Sequence, residues 1–361
     1  MPCLISVLDR CVSKYMFSQQ TDIKDNSTFV SIILPVRNEE RYIEKCIQSI
    51  LKQTYPKENL EVFLVDGRSE DRTREIIEKY TKTHPFIKLI DNPDRIVPTA
   101  LNRGVKAAKG DVIIRMDAHT VYAEDYIEKC VETLKKVDAD NVGGPIVTLP
   151  GNDTTTAKAI ALATSHPFGV GNSKFRTSRK AEYVDTVTFG AFRRDVFQRV
   201  GFFDERLVRN QDIEFNYRIR RSGGKIFLNP EIKSFYYNQA TLKGLWKQNF
   251  RNGMWNIFTT ALTNSPLSAR HYIPFAFVSS LLLSLFLSLF RHEFFIVFLS
   301  IMGLYVLTNL FFSVKIGLKT GIVYIPFLFA SFWTLHLSYG LGSLAGLLRL
   351  KDFKRQESNT L

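Results

Sequence analysis

The stretch VIIRMDAHTVY at 112–122 sets an aspartate, Asp117, at the end of an apolar run and a histidine, His119, two residues on. Apolar runs commonly close on a turn residue, so one reading is a plain strand end. The other is that carboxylate and imidazole together hold a ligand at the open edge of a sheet. Similar polar clusters close three more apolar runs, at Pro35–Glu39, Asp66–Arg68 and Asp91–Pro93. Further on, Asp212 stands near the start of IEFNYRIRRS, where it could cap a helix by accepting backbone N–H bonds.

Elements of two kinds must carry these residues. FVSIILPV (29–36), the start of LEVFLVDGRSEDRT (60–73), IKLIDNP (87–93) and DVIIRMDAH (111–119) read as strands, being β-rich and apolar. Between them YIEKCIQSILKQTY (42–55) has helical spacing, with Ile43, Ile47, Ile50 and Leu51 on one face. Helices are also expected over Arg72–Thr83, 99–110 and about 123–137. Alternating strands and helices predict an α/β fold with a mostly parallel sheet covered on both faces. Ligands of such sheets bind beyond the carboxyl ends of the strands. All four polar clusters fall there, which favours the binding-edge reading. After an irregular stretch (150–182), the segment from Val184 reads as strand, helix, acidic loop, helix, Gly-Gly turn and strand.

With 361 residues and a 45% hydrophobic fraction the chain can build more than one core. Its apolar residues are unevenly spread. From Tyr272 to Leu348 the only acid is Glu293, and three spans (about 272–290, 294–314 and 322–348) are each long enough to cross a bilayer, which takes about 20 residues. RHE and KIGLKTG read as tight turns between them. Three full crossings put the basic tail opposite the basic domain that precedes the spans, against the positive-inside tendency. Either one span is re-entrant, with 322–348 the candidate, or the tendency fails here. The net charge of +13 has no zinc-ligand spacing, RNA-binding aromatic signature or basic heptad helix to accompany it. Acidic membrane lipids are therefore the expected partner and nucleic acid is not. Cys3, Cys11, Cys46 and Cys130 lie at neither metal nor redox spacing and read as reduced thiols. The N-terminal apolar stretch is too short for a signal peptide and reads as a short helix on the domain or the membrane.

ILPVRNEE, VDGRSEDRT, ALNRGVKAAKGDVIIRMDAH and FDERLVRNQDIEFNYRIRRSGGKIFLNP, in this order, resemble family 2 glycosyltransferases: membrane-bound inverting enzymes of the GT-A fold. The variant with Asp-Ala-His is most similar to bacterial exopolysaccharide glucosyltransferases of the succinoglycan type. The resemblance implies a GT-A domain at 29–240 between an N-terminal segment (1–28) and an interfacial amphipathic segment (241–270). Transmembrane helices (271–350) and a basic tail (351–361) follow, with the catalytic domain cytoplasmic and a bacterial inner membrane expected. It also implies a nucleotide-sugar donor, UDP-glucose being the example, and a lipid-linked saccharide as acceptor. Pro35, Arg37, Asn38 and Glu39 would line the nucleotide, Asp66 would contact the base with Arg68 nearby, and Asn102 and Gly104 would approach the nucleotide-sugar. Asp117 and His119 replace the family's two-aspartate metal motif. A carboxylate oxygen with an imidazole nitrogen suits Mn²⁺ well and Mg²⁺ less.

By the same resemblance Asp212, preceded by Gln211, is the base that takes the acceptor hydroxyl's proton in a single in-line displacement. Asp185, Asp204 and Glu205 would serve the acceptor side. Gln248 and Arg251 match the start of the Gln-x-x-Arg-Trp motif of processive synthases, but Asn252 follows and the tryptophan is displaced to Trp255. Arg251 could meet a diphosphate of donor or carrier. The same segment also reads as a surface helix with Trp246 and Trp255 at headgroup level. The expectation is transfer of a single sugar; a processive synthase and a non-catalytic scaffold of the same fold are the alternatives. A dinucleotide-dependent oxidoreductase is not expected, because PVRNEE stands where a G-x-G-x-x-G turn belongs.

Overall fold

The computed structural model describes residues 27–263 and 267–358; Cys3, Cys11, the N-terminal apolar stretch and the last three residues of the tail lie outside them. The chain begins with β1 (Val30–Val36), α1 (Ile43–Leu51), β2 (Leu60–Asp66), α2 (Thr73–Thr83), β3 (Ile87–Asp91), α3 (Val97–Ala107) and β4 (Val112–Arg115). Then come β5 (Thr120–Tyr122), α4 (Tyr126–Lys136), β6 (Asn141–Gly143), β7 (Ile146–Leu149), α5 (Thr155–Thr164) and two helical turns, α6 (Pro167–Val170) and α7 (Lys174–Thr177). The domain closes with β8 (Glu182–Tyr183), β9 (Ala191–Arg193), α8 (Asp195–Val200), α9 (Gln211–Arg221), β10 (Ile226–Leu228) and β11 (Ser234–Tyr237).

Eight strands form one sheet in the order β3-β2-β1-β4-β9-β6-β10-β8. It is parallel except where β9 pairs antiparallel with β4 and β6, and β8 with β10. A second sheet, β5-β11-β7, flanks it. Strand alternation divides the core. Ile32 and Leu34 pack with Ile43, Ile47, Ile77 and Ile127 on one face, while Ile33 packs with Leu101, Val105, Phe215 and Ile219 on the other. Pro35 is buried within β1 opposite Val65. It is tolerated there because β4's pairing with β1 stops at Ile33–Arg115, so no ladder donor is lost on that side.

Three corrections to the expected boundaries have physical causes. The strand expected over 111–119 ends at Arg115; residues 116–119 turn away, and β5 pairs with β11 in the second sheet. No strand runs from Val184, since β9 starts only at Ala191. KIGLKTG is not a turn: α12 (Glu293–Thr320) continues through Lys315, whose ammonium lies over the Phe311 ring, and stops at Gly321, whose φ of 137° ends the helix.

Beyond the domain α10 (Leu242–Thr263) leads to α11 (Ile273–Leu287), α12, α13 (Ile325–Leu348) and α14 (Leu350–Ser358). The spans Ala269–Leu287, Glu293–Thr320 and Ile322–Leu348 are long and apolar enough to cross a membrane. Residues 325–348 form one unbroken helix. Whereas an amphipathic surface helix was expected at 241–270, α10 lies lengthwise on α13. A side chain at Gly342 would collide with the Phe250 carbonyl, so the two backbones meet almost directly. Leu245 of α10 joins Ala163 of α5, Ile316 of α12 and Leu328, Phe332 and Leu335 of α13 in a third core. By contrast α11 and α12 leave Leu283, Phe286, Ile296 and Leu307 exposed.

Candidate active site

Two strand-end loops are stitched together at the edge of the sheet. The Asn38 N–H donates to Ser69 Oγ (3.0 Å) and the Glu70 N–H donates to Asn38 Oδ1 (2.8 Å). The Glu39 N–H donates to Thr73 Oγ1 at 2.7 Å, and Asn38 and Arg68 take left-handed φ values of 54° and 53°. Asp66 lies beneath them, fully buried. It accepts from Ser69 Oγ (2.6 Å) and Arg74 (3.2 Å), so its carboxylate shapes the loop from below. Arg68 pairs with Asp91 at 3.5 Å, and Arg37 reaches the Arg95 carbonyl at 3.4 Å.

Asp117 and His119 follow on the bend after β4. The Asp117 N–H donates to the Tyr122 hydroxyl (2.7 Å), and the Cys46 thiol, whose pKa burial pushes well up, donates to the Asp117 carbonyl (3.5 Å). His119 Nδ1 lies 3.1 Å from Glu39 Oε1, and its ring meets Tyr236 edge-on. Burial draws the imidazole pKa down, but the Glu39 hydrogen bond and the Asp117 and Glu39 charges outweigh it and leave it above its ordinary value. Among the described residues no group of three or more His, Cys, Asp or Glu side chains is placed to hold an ion unaided. Asp117 and His119, with Glu39 bonded to the ring's Nδ1, are the residues that would hold a divalent ion here, and substrate oxygens and water would have to complete its shell.

Arg115, at the end of β4, joins this edge to Asp212 at the first turn of α9. Its guanidinium lies 3.8 Å from Asp117 Oδ2 and 4.0 Å from Asp212 Oδ2. It is 8% exposed, and its Nε and Nη1 have no hydrogen-bond partner. A buried donor left unmade costs about 1–3 kcal/mol. Arg115 thus stands between two carboxylates with hydrogen-bond donors to spare at the centre of the site. The signal for it in the sequence was the one charge in the run VIIR, a place where burial is expensive. Asp212 accepts from its neighbour's Ile213 N–H (2.9 Å), and its carboxylate opens on a cleft of about 560 Å³ between the domain and the apolar helices. Gln211 beside it is buried.

Other expected residues have different tasks. Asn102 faces inward: its Nδ2 donates to the Phe203 carbonyl (2.9 Å) and to Glu205 Oε1 (2.8 Å), and the Phe203 N–H donates to its Oδ1 (3.0 Å). It clamps the loop before α9, and Glu205 is part of that clamp. Gly104 is packed on β1, where a Cβ would come within 2.4 Å of Ile33, so it serves helix–sheet contact rather than the donor edge. Asp204 is held by Arg206 at 2.6 and 2.9 Å. Asp185 accepts from Ser268 Oγ (2.7 Å) and pairs with Arg270 (3.0 Å), fastening the domain to the start of the helical region. Gln248 lines the cleft and reaches the Tyr236 hydroxyl at 3.4 Å, and Arg251 is exposed one helical turn on.

Residues 31–201 match the model of the family described as glycosyl transferase family 2. A dolichyl N-acetyl-alpha-D-glucosaminyl phosphate 3-beta-D-2,3-diacetamido-2,3-dideoxy-beta-D-glucuronosyltransferase of Methanococcus voltae is 34% identical over 233 residues, covering 62% of this chain and 72% of its own. The succinoglycan biosynthesis protein ExoA of Rhizobium meliloti is 34% identical over 229 residues, 63% of this chain and 68% of its own. A mannosyltransferase of Pyrobaculum calidifontis, solved with GDP-Man and Mn²⁺, shares the GT-A fold. It aligns with a TM-score of 0.57 over 92% of this chain and 94% of that one, at 18% identity. The chain belongs to glycosyl transferase family 2 and is a glycosyltransferase of GT-A fold.

Proposed function

We propose that the protein moves one sugar, with inversion, from a nucleotide-sugar to a lipid-linked saccharide during surface glycan or exopolysaccharide synthesis. UDP-hexoses, UDP-glucose first, are the donors to try, and a polyprenyl-diphosphate-linked saccharide is the acceptor. The observation that carries this reading is Arg115 standing between Asp117 at the sheet edge and Asp212 at a cleft open toward apolar helices. A reaction centre between those carboxylates has donor on one side and membrane on the other.

In this reading Arg37, Asn38, Glu39 and Arg68 surround the nucleotide on their stitched loops. Asp117 and His119 hold a divalent ion, Mn²⁺ in preference to Mg²⁺. The ion's contribution is to neutralise charge on the departing diphosphate. Arg115, with free N–H donors, adds a fixed positive charge at the same place without reorganising. Asp212 accepts the proton of the acceptor hydroxyl as that oxygen bonds the anomeric carbon, and the nucleoside diphosphate leaves from the opposite face. The domain faces the cytosol, where nucleotide-sugars are made, and α11 and α12 sit in the bilayer through their exposed apolar faces.

The test uses the purified full chain in lipid with Mn²⁺, radiolabelled nucleotide-sugars and a native lipid extract. Label should enter the lipid fraction from one donor and fail to do so with EDTA or in Asp212→Asn. Label in a long insoluble polymer would show a processive synthase instead. If no donor is bound or consumed and the mutant behaves like wild type, the protein is a scaffold.

A further inference from the structure

The cleft beside Asp212 has two kinds of wall. On the domain side stand Asn210, Gln248 and Asn252; toward the membrane it runs between Phe168 of α6, Phe277 of α11 and Leu335 of α13. Three guanidiniums gather at its domain side: Arg176 in the lining, Arg209 bonded to the lining residue Asn252, and Arg251 exposed beside Arg209. Arg176 lines the cleft, lies over the rings of Phe175 and Tyr236, and makes only a 3.4 Å contact with Thr148 Oγ1. Arg209 donates to Asn252 Oδ1 at 2.9 Å and is pushed down in pKa by burial and by the charge of Arg251. Arg251 follows on α10.

Among the described residues none of the three forms an ion pair, whereas Arg270, at the same cleft, is neutralised by Asp185. Tyr236, feeling the charge of Arg176, Arg209 and Asp117 alike, marks where this cationic wall borders the Asp117–His119 edge. Like charges without a counterion repel one another, the half-buried Arg176 and Arg209 also lose hydration, and an oxyanion reverses both costs. Guanidinium forks suit phosphate oxygens in particular. A nucleotide diphosphate would satisfy the charge but would leave Phe168, Phe277 and Leu335 lining empty apolar space. A phosphate carrying a hydrocarbon chain uses both walls.

We propose that Arg176, Arg209 and Arg251 seat the diphosphate of a polyprenyl-diphosphate-linked acceptor, with its first prenyl units entering between α11 and α13. The proposal rests on the lipid-linked acceptor of the preceding section and adds where that acceptor binds. The sugar attached to the diphosphate then lies beside Asp212, which lines the same cleft.

Binding of farnesyl diphosphate, inorganic pyrophosphate and UDP with Mn²⁺ to the full chain in detergent tests it. Farnesyl diphosphate should bind at least tenfold more tightly than pyrophosphate. Arg176→Gln and Arg209→Gln should each weaken it at least tenfold while UDP affinity stays within twofold, which also shows that the variants are folded. Equal binding of the two diphosphates overturns the apolar limb. A loss of UDP affinity in the variants, with farnesyl diphosphate unchanged, assigns the wall to the donor and overturns the seat. If the wild type binds no UDP but binds farnesyl diphosphate through these arginines, with unfolding transitions matching wild type, the donor reading fails and the seat stands.

Discussion

On the β1–β4 side of the site the loops after β1 and β2 are tied to each other, Asn38 and Glu39 of one bonding to Ser69 and Thr73 of the other. On the other side the groups come from everywhere: Arg115 from a strand end, Arg176 from a helical turn, Asp212 from α9, Gln248 from α10. The first half is held by hydrogen bonds between neighbouring strand-end loops. The second is assembled by packing, and α10, held along α13, is the piece that closes it. A site built in this way can keep its donor edge while its acceptor edge varies with the helices.

Substitutions can break that division or sharpen it. Asp212→Asn should lower turnover by about 10²- to 10⁴-fold, the range for a positioned base, with UDP affinity unchanged by calorimetry. A parallel loss of UDP binding would mean the halves are not separable. Asp117→Asn should weaken Mn²⁺-dependent UDP binding about 10- to 100-fold, and farnesyl diphosphate binding should not follow it. Arg115→Lys, which keeps the charge but loses the fork, should slow transfer about tenfold, or about 1.4 kcal/mol of barrier. Full activity in that variant would remove Arg115 from the centre of the site.

Two smaller effects concern stability. Asn102→Ala strips the clamp on Phe203 and Glu205 and should cost about 1–3 kcal/mol in thermal or denaturant unfolding. If UDP affinity drops at the same time, Asn102 belongs to the donor edge after all. For Asp185, burial raises the carboxyl pKa, but Ser268 and Arg270 outweigh it and hold the group below the usual carboxylate range. Its stabilisation is therefore complete above the unfolded value, about 3.9, and is lost as pH falls through the depressed folded value. Asp185→Asn should cost about 1 kcal/mol at neutral pH, and the gap to wild type should close in acid; a gap constant with pH would count against the pairing with Arg270.

The βα half was legible because its signals are local. Apolar period, strand ends and turn residues put Arg37, Asn38, Arg68, Asp117 and His119 on one edge without knowledge of partners. The misses are long-range. Asn102 looked like a ligand-facing polar residue because its partners, Phe203 and Glu205, are more than a hundred positions away. Gly104 looked like a place for a ligand's approach, when what approaches is Ile33. β9 enters antiparallel between β4 and β6, a register that no local pattern specifies. The helical region was legible as three apolar spans. Its packing on α10 was not, since that depends on Gly342 meeting one particular carbonyl.

The lengthwise contact of α10 with α13 has a practical corollary. The composition invites cutting the chain near residue 270 to free a soluble catalytic fragment. Such a cut would strip the cover from Leu245 and leave Phe258 without the ring of Phe353 that stacks on it at 4.0 Å. The fragment would carry a bare greasy seam beside its own reaction centre. Catalyst and anchor share a wall in this protein, and whoever wants to study the one must keep the other.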